Sequence, residues 1–149
     1  MHWLDRLPIF LAALWWGSLS AVGLLVVPLL FAHLPTPAVA GAMAARLFSA
    51  QTWVALGCGL LLLVCARGRE AARMAWANGA LLFVVAGMLL ALLLEHGVAP
   101  RIQARIDLRL WHSVGSAMLA LQWLCAAVVL WKVSGPRATA ASAEPPLLD

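Results

Sequence analysis

Four long apolar stretches alternate with short polar ones along this chain. The first runs from Leu7 to Phe31, 25 residues without a charge. As a helix it is about 37 Å long at about 1.5 Å per residue, enough to cross a hydrocarbon layer of about 30 Å with some tilt. His33–Pro37 (HLPTP) reads as a turn. Thr36 is a good N-cap and Pro37 suits the first helical position, so the spacing predicts a second helix over Pro37–Ala66. Its Ala-rich start, Ala38–Leu47, is expected to be interfacial or protruding, and Phe48–Ala66 to span. A third helix is predicted over Ala75–Leu94, and a fourth from Trp111 to about Val133. Between these two, Gly97 and Pro100 interrupt the pattern. Arg101, Arg105 and Arg109 then recur every four residues, as do Ile102, Ile106 and Leu110. Two such stripes predict an amphipathic helix lying in the membrane surface. A solvated basic loop would not need the isoleucines. Ser134–Asp149 is rich in Pro, Ala and Ser and reads as a disordered tail. The expectation is an all-α bundle of four transmembrane helices over residues 1–133, with a surface helix before the last span and a tail over 134–149.

Composition agrees. Of 149 residues, 64% are hydrophobic and 11% charged, and the mean hydropathy is +0.95. A soluble domain carries about a quarter charged residues. The chain therefore has room for one small membrane bundle and no separate soluble domain. The net charge of +4 is scattered between apolar stretches rather than gathered on a face, which argues against a nucleic-acid partner. Cys58, Cys65 and Cys125 fall inside apolar stretches without a C-x-x-C pair, and read as reduced, buried, small apolar residues. Ala38-Val39-Ala40 fits a signal-peptidase pattern, but a signal h-region is about 7–15 residues, so the first stretch reads as a spanning helix.

With four spans both termini share a side. Arg6, Arg67, Arg69, Arg73, Lys132 and Arg137 fall on that side, against Arg46, Arg101, Arg105 and Arg109 on the other. The positive-inside rule favours cytoplasmic termini. Within the first helix, Gly17, Ser18, Ser20, Ala21 and Gly23 are small. Gly17 and Ala21 have the small-xxx-small spacing, so this face is expected to receive the other helices, since close packing drives association in lipid. Pro28 is expected to free the carbonyl of Leu24 and bend the helix.

His33, His96 and His112 all fall at the end of the bundle away from the termini. Three converging imidazoles suit a transition metal such as copper or zinc, with Glu95 orienting one of them and Met43, Met88 or Met118 adding thioethers for copper(I). Histidines at helix ends are also ordinary interfacial residues, and none of the three forms an i, i+4 pair. A haem held between helices would need two histidines at matching depth. His112 shares a helix face with Ser116 and lies beside Ser113, but no acid partner or nucleophile elbow accompanies them, so no enzyme is expected. Gln122, near mid-membrane, should reach across to Ser18 or Ser20. Arg46 either pairs with Glu95 or snorkels alone.

Trp16-Gly17, Pro28, Phe31, Ala40-Gly41 and Arg46-Leu47-Phe48 carry a family resemblance, as do Val98-Ala99-Pro100-Arg101-Ile102 and Trp111-His112-Ser113. Over about Leu7–Trp131 the chain resembles the small bacterial membrane domain related to transmembrane protein 205. It departs at Ala120-Leu121-Gln122, where that family often places Asn. The resemblance implies a four-helix membrane fold and a distant similarity to copper-resistance D membrane proteins, which favours metal handling. The leading expectation is a small protein of a bacterial inner membrane that handles or transports a metal ion or small solute, alone or as a homo-oligomer. The competing classes are an accessory subunit of a larger membrane complex and a haem-binding protein. Solute handling expects a polar cavity reached by His112 and Gln122. An accessory role expects a filled bundle and an exposed small-residue stripe.

Overall fold

Hydrocarbon offers backbone N–H and C=O groups no partner, so a chain this apolar must bond its own backbone as helix. A computed structural model describes residues 6–67 and 77–135. Four helices in it are long and apolar enough to cross a membrane: α1 (Leu7–His33), α2 (Pro37–Arg67), α3 (helical from Ala77, spanning Gly79–Gln103) and α4 (Leu108–Ser134). The arginine-rich connection between α2 and α3 and the C-terminal tail lie outside the described residues.

Thr36 caps α2 as its sequence predicts, its hydroxyl accepting from the Val39 N–H at 3.3 Å. The two parts expected of α2 form one unbroken helix. Each helix packs on its neighbours in the chain, and α4 closes the ring against α1.

Prolines leave the same mark on two helices. In α1, Ala21–Val26 widens into a π-turn, and the Val27 N–H reaches back five residues to the Val22 carbonyl. In α3, Leu94–Val98 does likewise, with the Ala99 N–H on the Leu94 carbonyl. Each wide turn ends two residues before a proline, Pro28 or Pro100. A proline ring collides with the carbonyl four residues back and has no N–H to offer it. Widening the preceding turn moves that carbonyl aside without ending the helix. Pro28 therefore distorts α1 as expected, whereas Gly97 and Pro100 do not interrupt α3.

That continuation changes the segment expected to form a surface helix. Ala99–Gln103 is helical but prolongs α3, a turn follows at 104–107, and Leu108 already opens α4. Arg105 and Asp107 adopt left-handed backbone there, with φ of 56° and 37°. Arg101, Arg105 and Arg109 thus lie on the end of one span, a turn and the start of the next, not along one helix face.

The core mixes many small residues with a few large ones, of which Trp15, Leu62, Val84 and Val129 are fully buried. Ala40, Ala44, Ala55 and Ala66 of α2, Ala80 and Ala91 of α3, and Ala126 of α4 are buried. Trp15 of α1 is fully buried among them. A Cβ added to Gly87 of α3 would sit 2.7 Å from the Trp15 ring carbons Cη2 and Cζ2 and 3.5 Å from the Cβ of Cys125. Met88 occupies the corresponding notch at Gly59 of α2. The face of α1 that docks is thus Leu11, Ala12, Trp15 and Leu19. The expected Gly17–Ala21 face does not dock within the chain. Gly17 has no neighbour within 4 Å of an added Cβ and Ala21 is exposed, while Gly23 touches Leu119. A tryptophan needs a hole on the partner helix, and Gly87 supplies it, so the glycine that matters lies opposite α1.

Trp15→Ala is expected to cost about 3–5 kcal/mol of stability, and Gly87→Val roughly 1–3 kcal/mol through overpacking. Both are read as shifts of the unfolding midpoint of the detergent-solubilised protein.

Candidate functional site

Polar side chains inside a membrane bundle must find partners on neighbouring helices, and they are where functional residues concentrate. Here they form a set of bridges. Ser18 donates to the Trp15 carbonyl at 3.0 Å and accepts from Gln51 Nε2 at 2.9 Å, tying α1 to α2. Ser20 donates to the Trp16 carbonyl and accepts from Trp123 Nε1, both at 2.8 Å, tying α1 to α4. The Trp16 and Trp123 rings lean together, with centroids 5.5 Å apart. Ser49 donates to Glu95 Oε1 at 2.7 Å, tying α2 to α3. Thr52 is buried and turns its hydroxyl back to the Phe48 carbonyl at 3.1 Å.

The glutamine that reaches Ser18 is therefore Gln51, not Gln122. Gln122 is itself buried, 2% exposed, on the inward face of α4 that also carries Cys125 and Ala126. The hydroxyls expected for it are taken by Gln51 and Trp123. Gln51 carried the same signal as Gln122, an amide deep in an apolar run; the long α2 pattern obscured its depth. Ser49 and Trp123 carried no such signal.

Glu95 lies in the π-turn of α3, where the wider winding sets its carboxylate beside Ser49. Arg46 is exposed, and Glu95 is bonded to Ser49 instead of to it. Two buried donors, Nε1 of Trp15 and of Trp16, have no acceptor among the protein's own atoms.

The histidines stand apart from this interior. His33 is exposed at the end of α1, its Nδ1 3.0 Å from the Leu29 carbonyl. His96 and His112 are exposed on α3 and α4. All three lie at the end of the bundle where their positions in the chain put them. Yet among the described residues no three His, Cys, Asp or Glu side chains are grouped to hold a metal ion. None of the three is buried between helices, as an axial haem ligand must be. Ser113 and Ser116 are exposed on α4 with His112, and Ser113 bonds the Arg109 carbonyl at 2.9 Å. The three cysteines are free thiols, with Cys58 and Cys125 buried and Cys65 partly so.

Ser18→Ala is expected to strand the Gln51 amide and to cost about 0.6–2 kcal/mol, with Gln51→Leu in the same chain recovering part of it. A double-mutant cycle on the unfolding midpoint reads the coupling.

A family model described as a domain of unknown function, DUF4149, matches residues 10–110, from within α1 into the first turn of α4. No curated protein and no solved structure matches the chain.

Proposed function

We propose that this chain, which belongs to the DUF4149 family, works as a helical packing subunit within a membrane, docking laterally on a larger membrane protein or on further copies of itself. The observation that carries this reading is the inversion of the α1 surface. Trp15 fills the bundle interior against Gly87, while Gly17 and Ala21 are left open on the outside. Helices associate in lipid by close backbone approach at small residues, and an open glycine–alanine pair one turn apart is the surface such approach uses.

Handling of a metal ion or small solute finds less support. It expects His112 and Gln122 to line one path. His112 is exposed near the start of α4 and Gln122 is buried about three turns deeper, and no polar side chain among the described residues is shown joining them. The reading further places the protein in a bacterial inner membrane with cytoplasmic termini, on the excess of arginine and lysine at the end of the bundle that holds them.

The test is crosslinking in native membranes. Gly17→Cys and Ala21→Cys are introduced singly where Cys58, Cys65 and Cys125 have been changed to Ala. Both are expected to yield one discrete heavier adduct. Leu82→Cys, at an α3 position 71% exposed, is expected to yield none. Absence of an adduct at both α1 positions would overturn the proposal. Impermeant thiol reagents are expected to label Gly68→Cys from the cytoplasmic side only and Ala104→Cys from the opposite side. Labelling of both from one side would overturn the topology.

A further inference from the structure

The α3–α4 connection is the most strongly charged described surface of the molecule, and it sits where two spans meet the headgroup layer. Arg101, Arg105 and Arg109 are all exposed. The only acid in the connection, Asp107, caps α4, its Oδ1 accepting from the Leu110 N–H at 3.4 Å. The Arg101 guanidinium lies 4.5 Å from the centre of the Trp111 ring and donates to the Gly97 carbonyl. That contact closes the connection on itself, with Arg105 between its two ends. Arg105 holds a left-handed backbone that a non-glycine residue adopts at a cost. Beside the arginines, Ile106, Leu108 and Leu110 are 57%, 43% and 52% exposed. Cations alternating with bare aliphatic side chains match a phospholipid at the depth where its phosphate meets its acyl chains.

Charge complementarity decides the occupant. A second copy of this chain has little to offer from its described residues. Among the described residues only Glu95 and Asp107 are acidic, and each already accepts a hydrogen bond within the chain. We infer that the α3–α4 connection is a binding site for the phosphate headgroup of an anionic phospholipid. Arg105 and Arg109 take the phosphate oxygens, Arg101 is fixed over Trp111 as the wall of the site, and Ile106, Leu108 and Leu110 lie along the acyl chains. The inference is independent of the docking surface on α1.

The full chain in detergent is titrated with phosphatidylglycerol or phosphatidylcholine of equal chain length, and bound lipid is counted by native mass spectrometry. Phosphatidylglycerol is expected to be retained preferentially, by about fivefold for each arginine engaged. Arg101→Gln, Arg105→Gln and Arg109→Gln together are expected to bring that preference close to one. Arg105→Gln with Arg109→Gln, which leaves the Arg101–Trp111 contact in place, is expected to lose most of it with an unchanged unfolding midpoint. Inorganic phosphate at matched ionic strength is expected to displace little lipid, since it lacks the acyl chains. Three results would overturn the inference: no headgroup preference in the parent chain, an unchanged preference in the double variant, or full displacement by inorganic phosphate.

Discussion

The fit of the Trp15 indole against the bare backbone of Gly87 is the contact around which this bundle closes. Lipid tails are as apolar as the side chains they would replace, so burying leucine gains little in a membrane. What holds helices together there is dense contact, and density needs a knob and a hole. Trp15 supplies the largest knob in the core. Ala55, Ala91 and Ala126 on the other three helices share its buried cluster, where small side chains let the backbones come close. Much of the outward surface is correspondingly bare leucine, valine and phenylalanine, which lipid solvates at no cost.

The polar bridges follow from that closeness. Each joins a different pair of helices: Ser18 with Gln51, Ser20 with Trp123, and Ser49 with Glu95. Two of the three serines also return their hydroxyl proton to a carbonyl three or four residues back. This arrangement satisfies the side chain without a water, and it fixes rotation of the helices about their axes, which nonpolar packing alone leaves loosely set. The π-turns belong to the same economy. Pro28 and Pro100 would each break a helix in water, but in hydrocarbon a broken backbone bond has no solvent to turn to. Widening the turn keeps the backbone bonded, and in α3 it also delivers Glu95 to Ser49.

The two surfaces that remain open differ in kind. The Gly17–Ala21 stripe is apolar and lies along α1, and it is the surface proposed above for docking another helix. The α3–α4 connection is cationic and lies at a helix end, and it is the surface inferred above to take a lipid phosphate. Both are surfaces directed outward, and the interior is occupied by the packing described above.

Hydropathy alone determined that four helices are long and apolar enough to cross a membrane, and that histidines and arginines collect near their ends, because removing each peptide group from water imposes the same requirement at every position. It did not show that α3 runs past Leu94 to Gln103. Thr36 and Pro28 were legible for a similar reason: capping and proline geometry are local. Which face of α1 turns inward was not legible. Gly17–Ala21 and Trp15–Leu19 have the same helical spacing, and only the position of Gly87, far along the chain, decides between them. The pairing of Ser18 with Gln51 in place of Gln122, and the division of the arginine stripe between two spans, were likewise decided by tertiary structure. Both depend on the depth at which separate helices stand beside each other, a quantity that no single stretch of sequence contains.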